Sequence, residues 1–216
     1  MTTAVLDRPA APRSHRGLAI VLCLVAAIGL FFVAFVAVPY FFRFEPTQFR
    51  TTWPRRWWVL LHISTGILAL LTGPVQLWLG LTDRRPELHR RLGTIYLLAV
   101  FVSSMAAFYL ASHTDLGWVF GAGLTGLAVT WLVTSGMAYT AIRRQLYEQH
   151  KEWMIRSYVV TTAFVTFRVL FLALNNAGVG TLNEQLAVSS WFCWAVPLVI
   201  TEAWLQGRKI LAVRRI

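Results

Sequence analysis

The chain has 216 residues, of which 57% are hydrophobic and only 13% charged, with a mean hydropathy of +0.59. That is about half the charge of an ordinary soluble domain, and a water-soluble fold would have to expose large apolar patches. A formal charge of +11 would suggest nucleic acid in a soluble chain, but here the basic residues stand between apolar blocks, where they orient a protein in a bilayer; the composition excludes a nucleic-acid binder and predicts a polytopic membrane protein.

Residues 1–17, "MTTAVLDRPAAPRSHRG", are polar and carry two prolines; they predict a disordered cytoplasmic tail. The apolar run from Leu18 to Phe42 follows. It is longer than a signal-peptide core of about 7–15 residues and lacks a small-residue cleavage site, so it predicts a first spanning helix. Five more apolar blocks lie near 57–80, 93–112, 117–142, 154–175 and 188–206. Each approaches the roughly 20 residues that cross a bilayer, and the short connections make consecutive helices antiparallel neighbours. The expected fold is therefore all-α: a six-helix membrane domain over 18–206, followed by a basic cytoplasmic tail over 207–216.

Charge sets the expected orientation. With the N-terminus inside, fifteen basic residues fall in cytoplasmic segments, while Arg43, Arg50, Arg55 and Arg56 fall outside. The positive-inside rule then gives N-in and C-in, in the inner (plasma) membrane of the cell. Cys23 and Cys193 fall in the first and last blocks, near opposite faces, too far apart for the Cα spacing of about 7 Å or less that a disulfide needs; both are expected to be free.

Two cytoplasmic thresholds look alike. "ELHRRLGTIYLLA" (87–99) and "HKEWMIRSYVVT" (150–161) place His89 and His150 61 residues apart, each after an Arg-Arg pair and before a Tyr. Helices 2–3 and 4–5 could thus be parallel repeats. The bland interpretation is positive anchoring of two helix ends. The sharper one brings His89 and His150 together as a ligand pair, with Arg90 and Arg156 nearby.

Within the second block, His62, Thr65, Ala69, Thr72 and Gln76 recur at steps of three and four, one stripe of a helix. Gly66, Gly73 and Gly80 run beside it, small enough for close helix approach. In the fifth block Ser157, Thr161, Arg168 and Asn175 form a second stripe. Polar groups are costly against lipid, so both stripes should face the bundle interior. At about 1.5 Å per residue, His62 and Arg168 lie at similar depth, roughly 8–10 Å below the outer surface. None of the nine carboxylates falls at Arg168's depth; Glu202 is better placed for Arg156 or Arg143 than for Arg168. An ionisable residue inside a membrane marks a functional site by default, so His62, Gln76 and Arg168 are the candidate ligand pocket. "GAGLTG" (121–126) matches a dinucleotide fingerprint, but that motif works between a strand and a helix; here it opens a spanning helix and predicts helix packing. No P-loop, HExxH or nucleophile-elbow motif occurs, and whether the protein is an enzyme is left undecided.

The combination "LHISTGILALLTGPVQLWLG", "HRRLGTIYLLA" and "HKEWMIRSYVVTTAFVTFR", with Glu202-Ala203-Trp204 near the end, resembles the bacterial predicted membrane proteins of domain-of-unknown-function family 2306. The resemblance covers roughly 57–206 and rests on His62, Gly73, Gln76, His89, Arg90, Gly93, Tyr96, His150, Trp153, Met154, Arg156 and Arg168. It implies a multi-spanning membrane protein without assigning an activity. More distantly, histidines near helix ends look like those of membrane haem b cytochromes. A di-haem pattern fails, because Gly123 stands where a counterpart of His62 would be and His113 lies nearer the surface.

Three functions stay open at this point. One is a non-catalytic assembly, lipid- or partner-binding protein. Another is a redox protein holding haem b or quinone, with His89 and His150 as ligands of the iron, the only metal in question. The last is a transporter for a small polar or anionic solute through His62, Gln76 and Arg168. Oligomeric state is not legible in the sequence.

Overall fold

The computed structural model describes residues 16–82 and 84–213; the tail expected over 1–17 lies almost wholly outside them. Seven helices make up the fold, and no strand occurs among the described residues: α1 (Arg16–Phe42), α2 (Arg56–Leu81), α3 (Pro86–Ser112), α4 (Trp118–Arg143), α5 (Tyr147–Thr161), α6 (Ala163–Asn176) and α7 (Leu182–Val213). Five helices are each long and apolar enough to cross a membrane, the bent pair α5–α6 is so when taken as one span, and the all-α membrane bundle stands.

Antiparallel hairpins α2–α3 and α4–α5 form a closed ring of four, with α3 against α4 and α5 against α2. Outside the ring, α1 lies on α2 and α6, and α7 lies on α4, α5 and α6. One end of the bundle carries residues 43–55, 113–117 and 177–181; it is called distal here. The other, basic end carries Arg84, Arg85, Arg143, Arg144 and Lys151.

The fifth apolar block is not one straight helix. It bends by 41° at Thr162. The hydroxyls of Thr161 and Thr162 donate to the carbonyls of Ser157 (2.9 Å) and Val159 (2.7 Å), and such back-bonding bends helices. The bend breaks the register assumed for Ser157, Thr161, Arg168 and Asn175. Two other boundaries also move. The charged thresholds belong to the helices, since α3 starts at Pro86 and α5 at Tyr147. α7 runs on through most of the stretch expected as a basic tail.

Pro74 shows how the core resolves its own defects. A proline in a helix frees the carbonyl four residues earlier, and inside a membrane that group needs a partner. The freed carbonyl is Leu70's, and Tyr158 of α5 donates its hydroxyl to it at 3.2 Å. The Tyr158 ring reaches that place because residue 73 is glycine; a Cβ there would run into the ring. Gly80 likewise admits His89, whose Cε1 would stand 3.0 Å from a Cβ. The glycines of "GAGLTG" do serve packing: Gly123 meets Ser190 and Trp191 of α7, and Gly126 meets Trp194. Cys193 is buried, Cys23 is exposed, and both are free.

Candidate functional site

The distal half holds a cavity of about 340 Å³ between α2, α3, α4, α5 and α6, with a second chamber of about 230 Å³ between α1, α2, α5 and α6. They share Val59, His62, Thr161, Phe164 and Arg168. His62 from α2 and Arg168 from α6 thus line one space.

The state of His62 follows from its neighbours. Its Nδ1 is 3.0 Å from both the carbonyl and the hydroxyl oxygen of Ser103, and the Ser103 hydroxyl donates to the His62 carbonyl at 3.2 Å. A carbonyl oxygen only accepts, so Nδ1 carries the proton. In the neutral ring Nε2 then keeps its lone pair, and no partner for Nε2 occurs among the described residues.

Arg168 is the opposite case. It makes no hydrogen bond or ion pair among the described residues, and its buried Nε is without an acceptor. Its guanidinium carbon stands 5.8 Å from the ring centres of both Phe164 and Phe167. The other arginine of the cavity, Arg55, is paired with Asp115 at 2.7 Å across the distal mouth.

The floor of the cavity is a buried hydroxyl network. Thr161 Oγ1 donates to the Ser157 carbonyl and accepts from Trp131 Nε1 at 2.9 Å. It therefore also accepts from Tyr96 at 2.8 Å; Tyr96 accepts from Ser157 at 2.7 Å, and Ser157 from Ser135 at 2.7 Å. The chain of donors ties α3, α4 and α5 and leaves no polar group of the floor unsatisfied. In the sequence Thr161 is visible only as one member of a stripe, and nothing there points to the role of Trp131.

Gln76 is elsewhere. It is 2% exposed and donates to the His89 carbonyl at 2.7 Å, clamping α2 to α3 towards the basic end. Fourteen residues from His62, it is about 21 Å further along the helix. The expected trio of His62, Gln76 and Arg168 is therefore two sites, and Gln76 belongs to the second.

At the basic end His89 and His150 do meet: their ring centres are 6.3 Å apart and the rings are perpendicular, at 87°. His150 Nδ1 donates to the Ala138 carbonyl at 2.9 Å, which leaves Nε2 as the free acceptor. Two imidazoles on one metal, each about 2.0–2.1 Å from it through nitrogen, have ring centres about 6 Å apart. The separation fits one ion, but no cluster of three or more metal-binding side chains occurs among the described residues. Arg156 does not face the pair. It binds Glu202 at 2.7 Å and Glu152 at 3.5 Å, and Lys209 closes the network on Glu152 at 2.8 Å. Arg90 is exposed and turns back to the Pro86 carbonyl. Neither arginine is disposed to pair with haem propionates.

A helix bundle with spans of this length and hydropathy, and ionisable side chains facing inward, is an integral membrane protein. The chain belongs to the predicted membrane protein family DUF2306, whose model matches residues 59–205. No curated protein and no solved structure matches it.

Proposed function

We propose that the protein binds a small molecule with an apolar body and an anionic head, in the distal cavity lined by His62 and Arg168. The observation that carries this is the Arg168 side chain: a charge inside the bundle, its Nε buried without an acceptor, beside a mostly apolar space of about 340 Å³. Ligand sites are commonly apolar clefts of about 300–1,000 Å³ with a few polar groups that fix orientation. An uncompensated guanidinium in such a place is costly unless something balances it, and an anion does so. The positive-inside count supports a cytoplasmic basic end and a plasma-membrane location, so the cavity mouth would face outward.

Benzoate, an apolar ring with one carboxylate, is a suitable probe. Titrated into the purified protein it should raise the apparent Tm, as any ligand of the native state does, and Arg168→Gln should abolish the shift. An equal shift in both proteins, or none in either, would remove the reading.

A second reading rests on the histidine pair. Its ring separation of 6.3 Å and the anchored Nδ1 of His150 support a metal or haem iron at the basic end, and hence a redox role. An absorption spectrum of the purified protein, oxidised and then dithionite-reduced, decides it. A Soret band that moves on reduction and disappears in His89→Ala or His150→Ala supports haem; a featureless spectrum from haem-replete cells rules haem out.

A further inference from the structure

The two chambers differ in character. The larger has polar groups at its distal mouth, Thr51, Thr52, Arg55 and Asp115 among them. Beyond the shared residues, the smaller is lined by Tyr40 and by aliphatic side chains and glycine of α1 and α2, including Val33, Val36, Ile63, Gly66 and Ile67. Its outer wall is α1, which exposes Leu24, Ile28, Phe31 and Phe35 on its other side. That wall is wound as a π-helix at Val33–Ala37, where Val38 N–H donates to the Val33 carbonyl; such turns recur at functional sites. A compact water-borne anion makes no use of a second, apolar chamber behind Arg168. A hydrocarbon chain does.

Charge and size narrow the class. Asp115 neutralises Arg55, so the junction carries one uncompensated cation, Arg168. A monoanion matches it; a phosphate monoester would bring a second charge with no partner, and a neutral quinone would leave the guanidinium unbalanced. A carboxylate meets that requirement and pairs with the guanidinium through charge-assisted hydrogen bonds. The smaller chamber, about 230 Å³, holds about eight small groups at about 30 Å³ each, enough for one medium-length chain and too few for a long acyl chain or a two-chain phospholipid.

Building on the cavity reading above, we infer that the ligand is a medium-chain carboxylic acid of the fatty-acid class, its head held by Arg168 and its chain lying in the α1–α2–α6 chamber. The guanidinium supplies the charge and the chamber supplies the selectivity for chain length.

The test uses the full chain in nanodiscs and labelled octanoate, with binding to empty nanodiscs subtracted. Butyrate and octanol are the comparison probes, one with too short a chain to fill the chamber and one without the acid. Gly66→Leu fills the chamber from α2; a Cβ there meets only Ser103 Oγ at 3.8 Å. Val36→Trp fills the same chamber from α1 and guards against a local defect in either variant. Octanoate should bind more tightly than both probes, and Arg168→Gln, Gly66→Leu and Val36→Trp should each weaken it about tenfold or more, a loss of about 1.4 kcal/mol. If butyrate binds as well as octanoate, needs Arg168 and ignores Gly66→Leu and Val36→Trp, the fatty-acid inference falls and the cavity reading stands. If octanoate binding ignores Arg168→Gln, both fall.

Discussion

Two arginines on one bent pair of helices have opposite surroundings. Arg156 on α5 sits at the basic end, with its side chain 8% exposed, against Glu202 and Glu152, and Lys209 completes the network. Arg168 on α6 sits in the distal half, with two phenylalanine rings and no anion among the described residues. The first charge is balanced by the protein itself and holds α5 to α7. The second is left for something else to balance. The comparison teaches that a buried charge is informative about function only after its partners have been counted.

The largest expected effect breaks the balanced side. Arg156→Leu should lower unfolding free energy by about 3 kcal/mol, the low end for stripping one partner from a buried pair, because Glu202 is itself 45% exposed and remains partly solvated. Arg168→Leu should leave the ligand-free protein unchanged or raise its stability by up to about 1 kcal/mol, since it removes a charge that nothing compensates. Parallel thermal melts in one detergent decide the matter; equal losses in the two variants would mean that Arg168 is as structural as Arg156.

The glycines of α2 sharpen the same contrast. At position 73, in the packed half, a Cβ meets the Tyr158 ring and displaces the donor that satisfies Leu70's carbonyl; Gly73→Ala should cost about 1–3 kcal/mol. At position 66, beside the cavity, the nearest atom is 3.8 Å away, and Gly66→Ala should be neutral or gain up to about 1 kcal/mol. Equilibrium unfolding of the two variants checks both values, and a comparable loss at 66 would argue against an open chamber.

Between these lies the floor of the cavity. Thr161→Val keeps the shape but deprives Trp131 Nε1 and Tyr96 of an acceptor; about 1–2 kcal/mol should be lost, together with a change in Trp131 fluorescence. The smallest effect on stability is expected for His62→Asn. The amide can replace Nδ1 as donor to the Ser103 carbonyl, so the melt should barely move. A melt that falls as far as that of Thr161→Val would mark His62 as a packing residue.

Much of this was legible in the sequence, for particular reasons. The spans follow from long apolar blocks, because a bilayer demands about 20 such residues and little else does. Counting carboxylates by depth assigns Glu202 to Arg156 or Arg143, and the structure selects Arg156. The meeting of His89 with His150, and the shared space of His62 and Arg168, follow from equal depth in the bundle. Gln76 was misassigned because a helical stripe fixes which way a side chain points but not which neighbour it meets at each level; at its level the neighbour is the His89 carbonyl. The bend at Thr162 was hidden because neither Pro nor Gly marks it, only two hydroxyls that turn back on their own helix. The π turn of α1 carries no compositional sign either.

Native mass spectrometry of the protein released from its own membranes tests the central claim most directly. The account predicts a small-molecule adduct on the wild type that is absent from Arg168→Leu and retained in His150→Gln. The same adduct on wild type and Arg168→Leu, or a wild type that carries none, would contradict it.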